Sequence, residues 1–141
     1  MMIRTATPDD AEGLAPLLGE LGYPSDPSSV ALRMTRLRQD LRAVVLVAET
    51  AGNLVGVATA HVRDSLNHDE PAAQLTLLVV DSRVRGSGVG QALVSAGMDW
   101  ARTQGARRLT VNTAVHREAA HRFYENRGFT LSGRRYAIAL D

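Results

Sequence analysis

The sequence predicts an α/β domain: a mixed, mostly antiparallel central sheet flanked by helices, in the order β-α-α-β-β-β-α-β-α-β. Three observations predict it. Apolar residues recur at helical spacing as far as Leu41, and then the period changes to that of strands. The turn "AGN" joins two β-branched runs as a hairpin. Near the middle, an apolar strand passes through a Gly-rich turn directly into a helix, in "VVDSRVRGSGVGQALV", residues 79–94.

The elements follow in order. "IRTAT", residues 3–7, is a short first strand. Thr7 is then an N-cap, with Pro8 at the first helical position and Asp9 and Asp10 in the first turn. Leu14, Leu17, Leu18 and Leu21 share one helical face, Pro16 interrupts it, and Gly22 ends it. After the turn-rich "GYPSDPSS", a second helix carries Val30, Met34, Leu37 and Leu41. "AVVLVAET" and "LVGVATAHV" are the hairpin strands, and "RDSLNHDEP" is a polar loop. "AQLTLLVV" is a strand apolar enough to be buried on both faces. From Gly88 a helix places Val89, Ala92, Leu93, Ala96 and Trp100 on one side. "RRLTVNT" is another strand, "REAAHRFYENRG" a short helix closed by Gly128, and "SGRRYAIAL" a final strand.

Composition narrows the function classes. The 141 residues fit one domain, 1–141, with 45% apolar and 22% charged residues, an ordinary globular balance. With no cysteine, disulfides, thiolate metal sites and a Cys nucleophile are excluded. "MMIRTATPDD" has no apolar leader region and no run reaches a membrane span, so the expected location is the cytoplasm, with no membrane partner. A net charge of +1 gives no reason to expect nucleic acid. All sixteen basic residues are Arg, ten of them between Arg83 and Arg135. That is either genome composition or a basic rim, where Arg forks suit phosphate.

An apolar strand, a glycine turn and a helix N-terminus together make an anion site. The first N–H groups of the helix lack internal partners, the helix dipole favours negative charge there, and glycine lets a phosphate approach the backbone. Neither common nucleotide motif fits. No Gly-Lys-Ser/Thr follows, and the dinucleotide fingerprint needs glycine where Gln91 stands. What remains is Arg85-x-x-Gly88-x-Gly90 after Val79 and Val80.

This pattern resembles the acetyl-CoA-binding motif of the GNAT superfamily of N-acetyltransferases. A second stretch, "AAHRFYENRGF", is similar to that family's later signature through Ala120, Phe123, Tyr124, Gly128 and Phe129. The opening "IRTATPDDAEGLAPLLGELGY" looks like its first strand and helix, so the resemblance spans nearly the whole chain. It implies a GNAT fold and direct transfer of an acetyl group from acetyl-CoA to a primary amine, without metal. It implies a cofactor site at Leu78, Val79, Val80, Arg85, Gly86, Ser87, Gly88, Val89, Gly90 and Gln91. There the backbone of Leu78 and Val80 pairs with the pantetheine arm, and the N–H groups of Gly86 to Gln91 hold the pyrophosphate. It implies Tyr124 near the thioester sulfur as the acid for the leaving thiolate. Relatives are often dimers, so the resemblance leaves a homodimer open, and the sequence itself does not give the oligomeric state.

Two departures qualify the resemblance. Arg117 stands where many relatives have an asparagine. No carboxylate lies on "QLTLLVV", so the base candidates are Glu49, His61 or water. The missing acid leaves room for a catalytically silent acyl-CoA sensor or a partner-binding domain. The bland alternatives are a structural glycine turn, a Tyr124 that only packs beside Phe123, and a solvated loop around Asp69 and Glu70. A zinc site at His116 and His121 is disfavoured by their five-residue spacing, which puts them on different helix faces.

Overall fold

The computed structural model describes residues 1–112, 118–133 and 135–140. The chain divides into two units, Met1–Thr110 and Val111–Asp141.

In the first unit, β1 (Met2–Thr5) leads into a 3-10 turn at Pro8–Asp10 and then α1 (Ala11–Leu21). The expected α-helical start at Pro8 is therefore a 3-10 turn, held by Thr7 N–H donating to Asp10 Oδ2 at 2.8 Å. Pro16 is accommodated within α1, and Gly22 ends that helix with φ 101°. In α2 (Pro27–Arg38), the Asp26 carboxylate caps Ser29 N–H at 2.8 Å, and Val30 and Met34 are buried. Leu41 lies beyond the helix end and is exposed, because α2 stops before that apolar spacing is complete.

The hairpin is β2 (Ala43–Thr50) and β3 (Asn53–Arg63). Its turn residues Ala51 and Gly52 both have positive φ, 52° and 82°, as the twist of a tight hairpin requires. Next come β4 (Ala72–Val80), α3 (Val89–Thr103) and β5 (Leu109–Val111), and the sheet order is β1-β2-β3-β4-β5. The first three pairings are antiparallel. The start of β5 lies beside the start of β4, with Ala73 N–H donating to Arg108 C=O at 3.1 Å, as a helical crossover between the two strands places it.

Each sheet face has its own core. On one face, α1 and α2 cover Val45, Val47, Val57 and Val79 with Leu14, Leu17, Val30 and Met34. On the other, Val62 and Ala73 pack with Ala101 and Ala106 of the α3 region. Gly56 lets α3 approach β3 closely: a Cβ there would stand 2.9 Å from both Leu93 Cδ1 and Val89 Cγ1.

The register between β3 and β4 shifts once. Thr59 pairs with Leu77, but Ala60 pairs with Leu75, leaving Thr76 as the extra residue of a bulge. The bulge also corrects one expectation. Only Ala73, Leu75 and Val79 of β4 are buried, and Thr76 is exposed, so the strand is not covered on both faces.

In the second unit, α4 (Glu118–Asn126) buries Tyr124. The Tyr124 ring meets Phe123 and Phe129 edge-on, with centroids 5.3 and 5.4 Å apart. Gly128, at φ 90°, turns the chain so that Phe129 N–H reaches Tyr124 C=O at 3.1 Å. The final strand expected in "SGRRYAIAL" is not formed among the described residues of that stretch. Tyr136, Ile138 and Leu140 keep strand alternation, but alternation sets a face and supplies no neighbouring ladder; these side chains are exposed. Arg117 and His116 lie outside the described residues.

Candidate active site

The site is built on β4. Asp81 N–H donates to Val55 C=O at 2.8 Å, which makes that row a hydrogen-bonded pair. Pairs alternate along an antiparallel ladder, so Val79 and Leu77 also bond to β3, while Leu78 and Val80 turn their N–H and C=O groups away from it. β5 is three residues long and begins beside Ala73, so it accompanies only the first part of β4. Beyond it, the outer edge at Leu78 and Val80 has no neighbouring strand among the described residues. The two backbone positions expected to meet pantetheine are thus the two that face outward.

The strand leads into the glycine turn. Asp81 caps a 3-10 turn at Ser82–Val84 by accepting from Arg83 N–H at 2.9 Å. Gly86 and Gly88 follow with φ 85° and 91°, a backbone that disfavours other residues, and Gly88 is the N-cap of α3. No side chain caps that helix end, so the N–H groups that open α3 point from an exposed turn. Val89 and Gly90 are buried beneath it, whereas Arg85, Gly86, Ser87, Gly88 and Gln91 are exposed. The Ser87 hydroxyl donates to Val84 C=O within the turn.

The two arginines beside the turn differ. Arg83 is taken up by Asp81, at 2.7 and 3.1 Å. That side-chain hydrogen bond, followed by the Arg83 N–H, holds the Asp81 carboxyl down at about 2. Arg85 makes one long contact, Nε to Val80 C=O at 3.3 Å, and spans from the turn to the strand edge. Glu20 of α1 accepts from Ser82 N–H at 3.1 Å and ties the first helix to the turn.

The base candidates separate. Glu49 is held by Arg4, at 3.4 and 3.5 Å, and Arg4 also grips Asp10 through two bonds of 2.9 and 2.8 Å. Glu49 pairs with Leu54, five β3 rows from Thr59 and the bulge, or roughly 17 Å along the strand. His61 pairs with Gln74, close to the bulge. Asp69 and Glu70 are both exposed on the loop before β4. Glu70 approaches Arg107 at 4.0 Å, and Arg108 meets His68 at 3.0 Å, around a cavity of about 190 Å³.

Sequence reasoning missed Asp81, Glu20 and the bulge at Thr76. An Asp placed directly after a strand and two residues before Arg83 is a readable capping signal. Glu20 and the bulge depend on tertiary register and leave none. Among the described residues no group of three or more His, Asp or Glu gathers as a metal site, and no helix is long and apolar enough to cross a membrane.

Residues 15–129 match the model of the acetyltransferase (GNAT) family. The aminoglycoside N(6')-acetyltransferase type 1 of Stenotrophomonas maltophilia is 35% identical, over 90% of this chain and 84% of its own. The aminoalkylphosphonate N-acetyltransferase of Salmonella typhimurium is 28% identical, over 98% of this chain and 90% of its own. The structure of a ribosomal-protein-alanine N-acetyltransferase from Brucella melitensis superposes with a TM-score of 0.81 at 26% identity, over 99% of this chain and 100% of that one. The chain belongs to the GNAT acetyltransferase family and is an acetyl-CoA-dependent N-acetyltransferase.

Proposed function

We propose that β4 and the turn after it form the acetyl-CoA cradle, and that Tyr124 completes the chemistry. The observation that carries this is the outward-facing backbone of Leu78 and Val80, leading directly into an exposed, uncapped helix N-terminus. The pantetheine arm adds to the strand edge as a further strand would. The N–H groups of Gly86, Ser87, Gly88, Val89, Gly90 and Gln91 hold the pyrophosphate. Arg85 leaves Val80 C=O and turns to a phosphate, where its fork of donors is better matched.

The amine nitrogen attacks the thioester carbonyl carbon, a C–N bond forms and the C–S bond breaks. The nitrogen loses one proton, to water or His61, and the departing sulfur gains one from the Tyr124 hydroxyl, so protons balance. A phenol, ordinarily near ~10, can donate to a thiolate whose acid is near ~8.5. Glu49 stays with Arg4 and takes no part. In this reading residues 1–141 act as one catalytic domain, in the cytoplasm and as a homodimer.

Amide hydrogen exchange tests the cradle. Adding CoA should protect Leu78, Val80 and the amides of residues 86–91, and protection elsewhere with none here would sink the assignment. The acceptor is sought by following free thiol across primary amines. The named substrates of the two relatives make an aminoglycoside and an aminoalkylphosphonate the first probes, beside glycinamide and a peptide N-terminus.

A further inference from the structure

The bulge in β4 does something besides interrupt the ladder. Above it, Leu77 and Val79 face α1 and α2, and both pack into that core. Continued alternation would put Leu75 and Ala73 on the same face. Instead Ala73 packs with Ala101 on the opposite face, and Leu75 Cδ1 is the atom that a Cβ on Gly97 of α3 would meet. The extra residue has exchanged the faces, as a one-residue slip must. Thr76 is thereby aimed at the α1/α2 face, where its hydroxyl meets that of Thr59 at 2.6 Å.

We propose that the Thr59–Thr76 hydroxyl pair is the seat of the acceptor amine, a positioning and specificity-determining pair for acetyl transfer. This rests on the cradle described above. A pantetheine arm that leaves the turn and runs back past Val80 and Leu78 brings its thioester end to the level of Leu77 and Thr76. The pair stands at that level, in an otherwise apolar run, Leu75-Thr76-Leu77, and Thr76 is exposed. The two hydroxyls use one hydrogen for each other and keep lone pairs for an incoming N–H. His61 and Gln74, a directly opposed pair close beside them, add no carboxylate.

The chemistry of such a seat selects the form of the amine. A carboxylate stabilises an ammonium and withholds its lone pair. Neutral hydroxyls accept N–H bonds from an uncharged amine without raising its basicity. The seat therefore takes a primary amine as its neutral, nucleophilic form and orients it towards the thioester carbon.

Thr59→Val and Thr76→Val keep the branched shape and remove the hydroxyl; Thr76→Ser keeps the hydroxyl. Each is assayed with acetyl-CoA and the panel amine that the wild type turns over fastest, with acetyl-CoA affinity measured by calorimetry and folding by thermal melt. The Val variants should lose at least tenfold in kcat/KM for the amine, with acetyl-CoA affinity within twofold of wild type, and Thr76→Ser should restore most of the loss. Val variants within twofold of wild type would make the pair a cross-strand contact only. Equal losses in amine and acetyl-CoA parameters would also overturn the proposal, because the bulge would then matter as shape. Wild type that fails to protect Leu78 and Val80 with CoA would instead fail the cradle, a separate result.

Discussion

Gly56 is the position where the fold and the site depend on the same few atoms. In Gly56→Ala the new Cβ would stand 2.9 Å from Leu93 Cδ1, 2.9 Å from Val89 Cγ1 and 3.2 Å from Val79 C=O. Ordinary carbon contacts lie near ~3.5–4.0 Å, so two contacts are short by more than about 0.5 Å. Leu93 is fully buried and has little room for another rotamer. Val89 is β-branched and stiff, and it is the first residue of α3. The carbonyl of Val79 belongs to β4 and cannot retreat without disturbing the ladder. The relief left is for the first turn of α3 to move away from the sheet. Overpacking of this kind costs about 1–3 kcal/mol. For a domain of this size the melting temperature should fall by roughly 3–12 °C. The same displacement moves the N–H groups of Val89 and Gly90 away from the line of β4, so acetyl-CoA affinity should fall several-fold in protein that remains folded. Differential scanning calorimetry and titration calorimetry read the two effects. A melting change under 1 °C with unchanged affinity would refute the reasoning, because it would mean that the junction has slack.

Three further outcomes are expected. Gly88→Asp imposes a strained φ of 91° and sets a negative charge at the proposed pyrophosphate site, so acetyl-CoA affinity by calorimetry should drop at least tenfold while the circular dichroism spectrum is kept. Tyr124→Phe preserves the edge-on packing with Phe123 and Phe129, so a general acid should show itself as a kcat loss of roughly 10²–10⁴ with acetyl-CoA affinity nearly unchanged; a normal kcat would leave the thiolate to water. Asp10 lies below the usual carboxylate value, first because Arg4 donates to it, with burial opposing and Thr7 N–H assisting. A lowered folded value means that the contribution is present above the unfolded value near ~3.9 and is lost as pH falls through the folded one. The stability gap between wild type and Asp10→Asn, about 1–2 kcal/mol at pH 7, should therefore shrink below pH ~4 in urea titrations, and a gap of the same size at pH ~3 would contradict the linkage.

The fold was legible wherever the signal was local. Thr7, Gly22, the Ala51–Gly52 turn and Gly88 mark element ends by chain chemistry alone, and each stands at the boundary expected of it. The elements that went astray depend on partners. Among the described residues of "RRLTVNT" the strand is Leu109–Val111, with Arg107 instead approaching Glu70 and Arg108 meeting His68. Leu41 continues a helical spacing that α2 does not extend to meet. The site divides in the same way. The glycine turn is a local motif, and its geometry could be anticipated. Glu49 could be named as an acid, but its pairing with Arg4 could not be read, because Arg4 reaches it from β1, forty-five residues earlier.

The hardest part to see in advance was β4, and the reason is physical. Above the bulge, the groups assigned to the proposed cradle are the N–H and C=O of Leu78 and Val80, which every non-proline residue carries. A cofactor bound through backbone therefore leaves the side chains free to serve the two cores, and the strand reads as plain apolar sequence. Below the bulge the relation reverses: the outer edge is accompanied by β5, and the polar side chains Gln74 and Thr76 become the distinguishing groups. In the proposed site, one inserted residue thus separates a half that works by main chain from a half that works by side chain. A regular strand that kept Thr76 in the ladder would follow a single alternation, with Gln74 on the face of Ala101 and Trp100 and Ala73 and Leu75 on the other. The bulge is therefore a condition of the fold as much as of the site: without it, β4 would bury a polar side chain in one core in order to reach the other.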